Sequence, residues 1–154
     1  MKLALALTLA MFSTPCLAQS TAKAEVFSAA SLQSQFTQLA ADASAKGSSG
    51  STLRDYGTHA IKLNQRTASG GAEIHAHFDD VIIVTGGKAT LITGGDLVSP
   101  HAGANGETTG TEIHNGTSQT IATGDVVHIP AGTPHQLIIA PGATYSALVI
   151  KVKE

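Results

Sequence analysis

The sequence predicts an all-β fold, a single antiparallel barrel, with one short helix before it. After residue 50 most stretches alternate apolar and polar residues with a period of two, which is typical of strands with one buried face. Gly- and Pro-rich turns separate these stretches, and almost no helical pattern occurs among them. Many short strands joined by such turns favour a closed or sandwiched antiparallel barrel.

The first residues have the three parts of a secretory signal. Lys2 supplies the positive charge, Leu3 to Phe12 supplies the apolar run, and Ala18 supplies the small residue at the cleavage position. The apolar run is too short to span a bilayer. We therefore predict a Sec signal peptide over residues 1–18, cleaved after Ala18, and a mature protein that is periplasmic or secreted and has no membrane anchor.

Composition limits what the mature chain can be. Removal of 18 of the 154 residues leaves about 136, which is ample for one domain and thin for two. The single cysteine, Cys16, lies in the predicted signal, so the mature chain can form no disulfide. Loss of Lys2 leaves eight basic and eleven acidic residues, a net charge of −3, without a basic cluster. We therefore expect no nucleic-acid partner.

One helix is predicted over about residues 31–45. Its apolar residues recur at helical spacing, namely Leu32, Phe36, Leu39 and Ala43. Ser28 or Ser31 can cap the start of this helix, and Gly47 can cap its end. The apolar stripe is expected to pack on a sheet, because no basic face accompanies it.

The Gly- and Ser-rich residues 47–51 predict a flexible joint, because such segments behave as random coil. This divides the chain into the signal peptide at 1–18, the N-terminal helix and joint at 19–51, and the barrel at 52–154. No other linker of this kind separates a second domain.

The first half of the barrel is predicted to contain four strands. His59–Arg66 alternates apolar and polar residues, and Glu73–Phe78 follows after a glycine turn. Val81–Thr85 and Lys88–Thr93 are expected to form a hairpin across Gly86–Gly87, because a glycine pair suits the positive φ angles of tight turns.

The second half begins with a stretch of little periodicity, Gly94–Gly116, which we interpret as a long surface excursion with a short strand at its end. Two strands follow within residues 120–139, separated by a turn that contains Pro130. Tyr145–Val152 is the closing strand. In the strand that begins at His135, alternate residues share one face.

Residues of metal-ligand type are concentrated in residues 73–80. Because alternate side chains of a strand share a face, Glu73, His75 and His77 are expected to project from one side. His135 stands beside a rigid proline bend, which is a good position for a third imidazole. Strand alternation and the proline bend thus indicate a metal site.

These motifs resemble the two signatures of the cupin superfamily, and the resemblance covers about residues 53–154. The first signature is similar to His75-x-His77 followed by a carboxylate and Gly87. The second is similar to Gly124, Pro130-Ala-Gly132 and His135, at the family's offsets and in the family's order.

The resemblance implies a small jelly-roll β-barrel that binds one divalent metal. Carried over by position, the metal ligands are His75, His77 and His135, with Asp80 where the family has a glutamate. Three imidazoles with at most one carboxylate suit one divalent transition metal ion, Zn, Cu, Ni, Mn or Fe, and exclude Ca and Mg. Asp80 is one methylene shorter than glutamate, and Asp79 is the alternative fourth ligand. The fourth ligand is therefore open between these two carboxylates.

Two further residues are candidate catalytic groups. Glu73 shares a face with the histidines and is either an acid/base group or a strand-end side chain turned to solvent. His128 alternates with Pro130 on one strand and either reaches the site or covers its edge. The remaining histidines are interpreted as solvated: His59, His101 and His114.

Below the ligands the interior is expected to be small and apolar, lined by Ile82, Val84, Leu137 and Ile139. Since no Arg or Lys is placed there, a small, weakly polar ligand is expected rather than a phosphosugar or a polyanion. The function is then either a metal-dependent enzyme, such as an oxidoreductase, dioxygenase or isomerase, or a non-catalytic module that binds a small molecule or metal. The sequence leaves both open, and also association as a homodimer.

Overall fold

The computed structural model describes residues 23–154, which form one helix followed by a barrel of antiparallel strands. The predicted fold class, an all-β jelly-roll barrel preceded by a short helix, is confirmed. The predicted signal peptide lies outside the described residues. No helix within residues 23–154 has the length and apolar character that a membrane span needs.

Helix α1 covers Ala29–Lys46 and starts two residues before its predicted limit. The Oγ of Ser28 accepts a hydrogen bond from the N–H of Ser31 at 3.2 Å, so Ser28 is the N-cap. Gly47 ends the helix with φ 85° and donates its N–H to the carbonyl of Ala43. Leu39 and Ala43 are buried, as expected for a stripe that packs on a sheet.

The barrel contains twelve strands and one 3₁₀ turn, Ala104–Gly106. The strands are β1 Ser48–Asp55, β2 His59–Arg66, β3 Ala72–His75, β4 Phe78–Thr93, β5 Asp96–Leu97, β6 His101–Ala102, β7 Glu107–Gly110, β8 Ile113–His114, β9 Thr117–Ala122, β10 Val126–Ile129, β11 His135–Ile138 and β12 Tyr145–Lys153. The main sheet has the order β1-β2-β12-β4-β11-β3-β7-β6, while β9 and β10 also pair with β4. Strands β5 and β8 form a separate pair.

The longest strand, β4, joins the two halves of the barrel. Its first half pairs with β10 and β12, and its second half pairs with β9 and β11. The hairpin predicted at Gly86–Gly87 is therefore wrong. The two glycines lie at an irregularity in the pairing of β4 with β12, opposite Ser146. A Cβ on Gly87 would lie 1.9 Å from the carbonyl oxygen of Thr144, so only glycine fits at this position.

The flexible joint predicted at residues 47–51 is also wrong, because these residues begin strand β1. Ser48 pairs with Arg66 of β2, and the pairing of the two strands continues to Asp55, which lies opposite Ala60. Gly50 has a structural role there, since a Cβ at this position would approach the carbonyl oxygen of Leu63 to 2.9 Å. Hydrogen bonds to β2 hold these residues in a strand, although their Gly- and Ser-rich composition is typical of a linker.

The excursion predicted at residues 94–116 contains more structure than expected. Strand β7 pairs with β3 along four residues and thereby extends the main sheet. Ile113 is buried and pairs with Leu97 in the small β5–β8 sheet. This segment therefore forms part of the barrel wall beside β3.

Helix α1 packs on β1 and β2, whose side chains alternate between two faces. Leu63 is 1% exposed and lies on the face that the helix covers. The opposite face carries Lys62, Asn64 and Arg66, which pair directly with Val149, Ala147 and Tyr145 of β12. Since Ala147 and Tyr145 belong to the barrel core, the polar face of β2 points inward.

The barrel core itself is apolar and lies on both sides of β4. Its buried residues are Ile82, Val84, Ala89, Leu91, Ile121, Ile129, Ile139, Tyr145 and Ala147. Tyr145 is the largest of them and is 1% exposed. Its hydroxyl has no hydrogen-bond partner among the described residues. Burial raises the pKa of Tyr145 from 10.0 to about 12, partly opposed by the charge of Arg66.

This burial predicts a loss of stability at high pH that depends on one hydroxyl. An unfolded tyrosine ionises near pH 10, whereas folded Tyr145 keeps its proton to about pH 12. Its contribution to the free energy of unfolding is therefore fully present below pH 10 and is lost as the pH rises towards 12. Over this pH range the free energy of unfolding should fall by about 2–3 kcal/mol less in the Tyr145→Phe variant than in the wild type. Urea unfolding of both proteins at pH 8 and pH 11.5 measures the difference. Parallel losses in the two proteins would contradict the assignment.

Candidate functional site

The barrel contains a cavity of about 380 Å³ that opens beside β1, where Gly50 and Thr52 are exposed. Apolar side chains line part of it, namely Ile82, Leu137 and Val149. Four residues of metal-ligand type also line it: Glu73, His75, Asp80 and His135. Of the predicted apolar lining, Ile82 and Leu137 are present, whereas Val84 and Ile139 belong to the core, and the cavity is more polar than the sequence suggested.

Strand pairing brings Glu73, His75 and His135 together. Glu73 and His75 are two residues apart on β3 and share a face, and His135 of β11 pairs directly with Glu73. One potential ligand atom from each residue lies within 4.8 Å of the other two. The Nε2 of His135 is 3.6 Å from a carboxylate oxygen of Glu73, and the Nε2 of His75 is 4.0 Å from the other.

Asp80 enters the same cluster from β4. Its Oδ2 lies 3.4 Å from the Nε2 of His75 and 3.9 Å from the Nε2 of His135. Its Oδ1 lies 2.9 Å from the Nζ of Lys151, in an ion pair that lacks the angle of a directed hydrogen bond. Asp80 is therefore shared between the histidines and a lysine.

Asp79, the alternative to Asp80, points to the outside of the barrel. Its carboxylate accepts hydrogen bonds from the Nε2 of His128 at 3.0 Å and from the N–H of Ala131 at 2.7 Å. Of the two carboxylates that the sequence left open, the structure brings only Asp80 to the histidines.

Hydrogen bonds orient both imidazoles of the cluster. The Nδ1 of His75 contacts the carboxylate of Glu107, and the Nδ1 of His135 lies 3.0 Å from the carbonyl oxygen of Thr133. Both partners only accept hydrogen bonds, so each Nδ1 carries a proton. In the neutral imidazole the lone pair is then on Nε2, which points to Glu73 and Asp80. This is the tautomer that a metal ion requires at such a site.

The electrostatics of the cluster favour a positive charge at its centre. Burial opposes the charged form of His75, but Asp80 and Glu73 outweigh it and raise the pKa of His75. Burial likewise opposes ionisation of Glu73 and Asp80, but contact with His135 and His75, respectively, lowers both carboxyl pKa values. A proton on His75 or a bound cation satisfies the same arrangement of charges.

His77 lies apart from this cluster, in contrast to the prediction. Strand β3 ends at His75, and the chain turns at Ala76 and His77 before β4 begins. His77 is exposed, and its ring lies beside Gly106. The alternation argument fails for His77 because the strand does not continue to Phe78.

His128 also lies away from the cavity. It pairs with Asp79 on the outer face of the β4–β10 ladder, and its side chain is 56% exposed. Of the two positions that the sequence left open for His128, the structure does not place it in the cavity lining, because its neighbours Val127 and Ile129 occupy the inward face. Its role stays a prediction. Glu73 does line the cavity, and its acid/base role stays a prediction.

Three further histidines are interpreted from the sequence as solvated, namely His59, His101 and His114. In the structure His59 is half-buried, and the other two are exposed.

Sequence reasoning missed several polar residues of the site. Lys151 is the cross-strand partner of Asp80, and the alternation of β12 from Tyr145 onwards was the signal that could have found it. Lys62 and Arg66 line the cavity, so the expectation of an interior without Arg or Lys is wrong. Glu107 lies in the aperiodic segment, where no sequence signal indicated its contact with His75.

The sequence matches no protein-family model and no curated protein. Solved structures resemble it in fold. The polyketide cyclase RemF from Streptomyces resistomycificus is 19% identical, with a TM-score of 0.50 over 71% of this chain and 67% of that chain.

Two other similar solved structures have names that state their fold. An uncharacterized conserved protein with a double-stranded β-helix domain from Klebsiella pneumoniae is 13% identical, with a TM-score of 0.52 over 69% of this chain and 76% of that chain. The Cnp3 cupin domain from Schizosaccharomyces pombe is 10% identical, with a TM-score of 0.52 over 70% and 65% of the two chains. Together with the strand order and the helix ahead of the barrel, these likenesses identify the fold of this chain as that of the cupins, the double-stranded β-helix.

Proposed function

We propose that this protein is a metal-binding cupin that binds or transforms a small molecule in its barrel cavity. His75, His135 and Glu73 would hold one divalent transition metal ion, with Asp80 available as a fourth ligand. The observation that carries the proposal is the convergence of three ligand atoms within 4.8 Å, on strands that are distant in sequence and in the wall of a cavity.

The donor set fits a transition metal. Two imidazoles with one or two carboxylates suit Fe(II), Mn(II) and Zn(II), and they contain more oxygen than the three-histidine set predicted from sequence. Both imidazoles present Nε2, because Glu107 and Thr133 engage the Nδ1 atoms. The carboxylates around the two imidazoles, which raise the pKa of His75, would also stabilise a cation at this point.

A bound ion would polarise an oxygen atom of the small molecule as a Lewis acid. The chain's own residues supply the rest of the chemistry. Glu73 is partly exposed to the cavity, with 39% of its side chain accessible, so the carboxylate oxygen that does not hold the ion would be the one to accept or return a proton. The apolar side chains Ile82, Leu137 and Val149 exclude water from part of the cavity.

Catalysis is the preferred form of this proposal, as a metal-dependent oxidoreductase, dioxygenase or isomerase. The barrel is compatible with enzymatic chemistry, since a polyketide cyclase shares the fold. A binding module without turnover is the alternative, and it predicts ligand binding without conversion across a panel of small molecules. Turnover that is lost together with the metal, in His75→Ala and after chelation, favours the enzyme.

Replacement of single histidines tests the metal site. His75→Ala and His135→Ala should each weaken metal binding by at least about tenfold, because nothing nearby can replace a strand-held imidazole. His77→Ala is the matched control and should retain the wild-type metal content, because His77 is exposed and outside the cluster. Elemental analysis of the purified proteins, after circular dichroism confirms folding, measures the occupancy. Equal losses in all three variants would instead support the ligand set that the sequence predicted.

Glu107 offers a second test of the same site through the orientation of His75. Glu107→Ala should lower metal affinity by about 10- to 100-fold, because the imidazole loses the partner that positions its ring. Glu112→Ala is the control, since the carboxylate of Glu112 is exposed and pairs with His114, away from the cluster. Competition with a chromogenic chelator gives both affinities. Unchanged affinity in Glu107→Ala would remove this carboxylate from the site.

We also propose that the protein is exported to the periplasm or the medium. The support is the signal-like sequence of residues 1–18, with its charge, apolar run and small residue at Ala18. Protein recovered from the producing cell should begin at or near Gln19, which N-terminal sequencing or intact mass measures. A mature protein that begins at Met1 would contradict export by this route.

A further inference from the structure

The wall of the cavity formed by β2 carries an unusual row of polar side chains. Lys62, Asn64 and Arg66 alternate along β2 and all face the barrel interior, opposite core residues of β12. Most strands of such a barrel place apolar residues on this face. Here the apolar residues of β2 are on the outer face, under helix α1.

Several polar atoms along this wall are buried and have no partner among residues 23–154. They are the Nε of Arg66, the Oδ1 of Asn64 and the hydroxyl of Tyr145. Tyr145 is 1% exposed and pairs directly with Arg66, so their Cβ atoms lie about 5 Å apart. Buried polar groups are normally hydrogen-bonded, because an unpaired one costs free energy. An anion in the cavity would accept hydrogen bonds from the Nε of Arg66 and the hydroxyl of Tyr145, whereas the Oδ1 of Asn64 is itself an acceptor and needs a donor.

The charges along the wall indicate the sign of that ligand. Within the described part of the chain, no carboxylate lies within 4.0 Å of the charged nitrogens of Lys62 or Arg66, whereas Lys151 is paired with Asp80. The cavity lining therefore holds three cations, Lys62, Arg66 and Lys151, against two carboxylates, Glu73 and Asp80. This leaves an excess of one positive charge before any metal ion is counted, which favours an anion.

The guanidinium of Arg66 is held in place by the turn before β3. A Cβ added to Gly70 would lie 2.5 Å from the Nη1 of Arg66, so the absence of a side chain at Gly70 makes room for the guanidinium. The group is thus packed against backbone while its Nε stays free. A fixed guanidinium of this kind matches the two oxygens of a carboxylate.

We propose that the cavity binds a small monocarboxylic acid, with its carboxylate on Arg66 and Lys62 and its short apolar part against Ile82, Leu137 and Val149. The hydroxyl of Tyr145 donates a hydrogen bond to the same carboxylate. The proposal rests on the proposed function for the identity of the cavity as the ligand site. It replaces the weakly polar ligand expected from sequence with an anion that has an apolar end.

Binding of butyrate to the full mature protein tests this proposal. Ligand-observed NMR titrations are run with zinc bound and again after chelation, with butyramide as the neutral analogue of the same shape. Butyrate should bind at least about tenfold more tightly than butyramide. Arg66→Gln should weaken butyrate binding at least about tenfold, while Arg54→Gln, a variant of an exposed arginine that pairs with Glu25, should leave it unchanged.

The controls separate this proposal from the metal proposal. Arg66→Gln should keep the wild-type zinc content and circular dichroism spectrum. If that variant fails to fold, Lys62→Gln takes its place with the same expectation. If the wild type binds no metal but binds butyrate in an Arg66-dependent manner, the result supports the anion site and rejects the metal site.

Three results would overturn the anion site. Butyramide could bind as tightly as butyrate, or Arg66→Gln could bind butyrate like the wild type in both metal states. Butyl phosphate, included as a third probe, could bind more tightly than butyrate, which would assign the wall to phosphate esters. Each outcome is read from the same titration.

Discussion

The pairing of strand β4 with neighbours on both sides is the interaction on which the rest of the structure depends. Its 16 residues hydrogen-bond to β10 and β12 near the start and to β9 and β11 near the end. The same strand therefore holds Asp80 beside Lys151 of β12 and sets the position of β11, whose first residue is His135. The cluster exists because one strand belongs to both halves of the barrel.

The two walls of the cavity then have different chemistry for one structural reason. Around β3 and β11, carboxylates surround imidazoles whose Nδ1 atoms are already engaged, and the result is a centre that favours a cation. On β2, helix α1 covers the apolar face, so the strand can expose cations to the interior without leaving Leu63 in water. The helix thus contributes to the site without touching it. A cation centre and an anion-binding wall within one cavity are suited to a ligand that carries a carboxylate and meets a metal ion.

The cluster also shows how buried charges are kept within a small barrel. Each carboxylate in the wall contacts a side-chain nitrogen of an imidazole or an ammonium group: Glu73 contacts His135, and Asp80 contacts His75 and Lys151. Their pKa values are lowered in spite of burial, which means that these contacts outweigh the loss of hydration. Removal of one member would leave its partners charged and uncompensated, so the site is expected to be coupled rather than additive.

The sequence by itself determined the fold class, the helix with its cap at Gly47, and the strand character of His59–Arg66, because period and turn chemistry are local properties. It also indicated His75, His135 and Asp80, since motif spacing reflects the barrel. Only tertiary structure decided that His77 leaves the strand, that Glu107 supports His75, and that the polar face of β2 points inward. These outcomes depend on where a strand ends and on which face a neighbouring element covers. Periodicity marks that a strand has two faces, but burial against another element chooses between them.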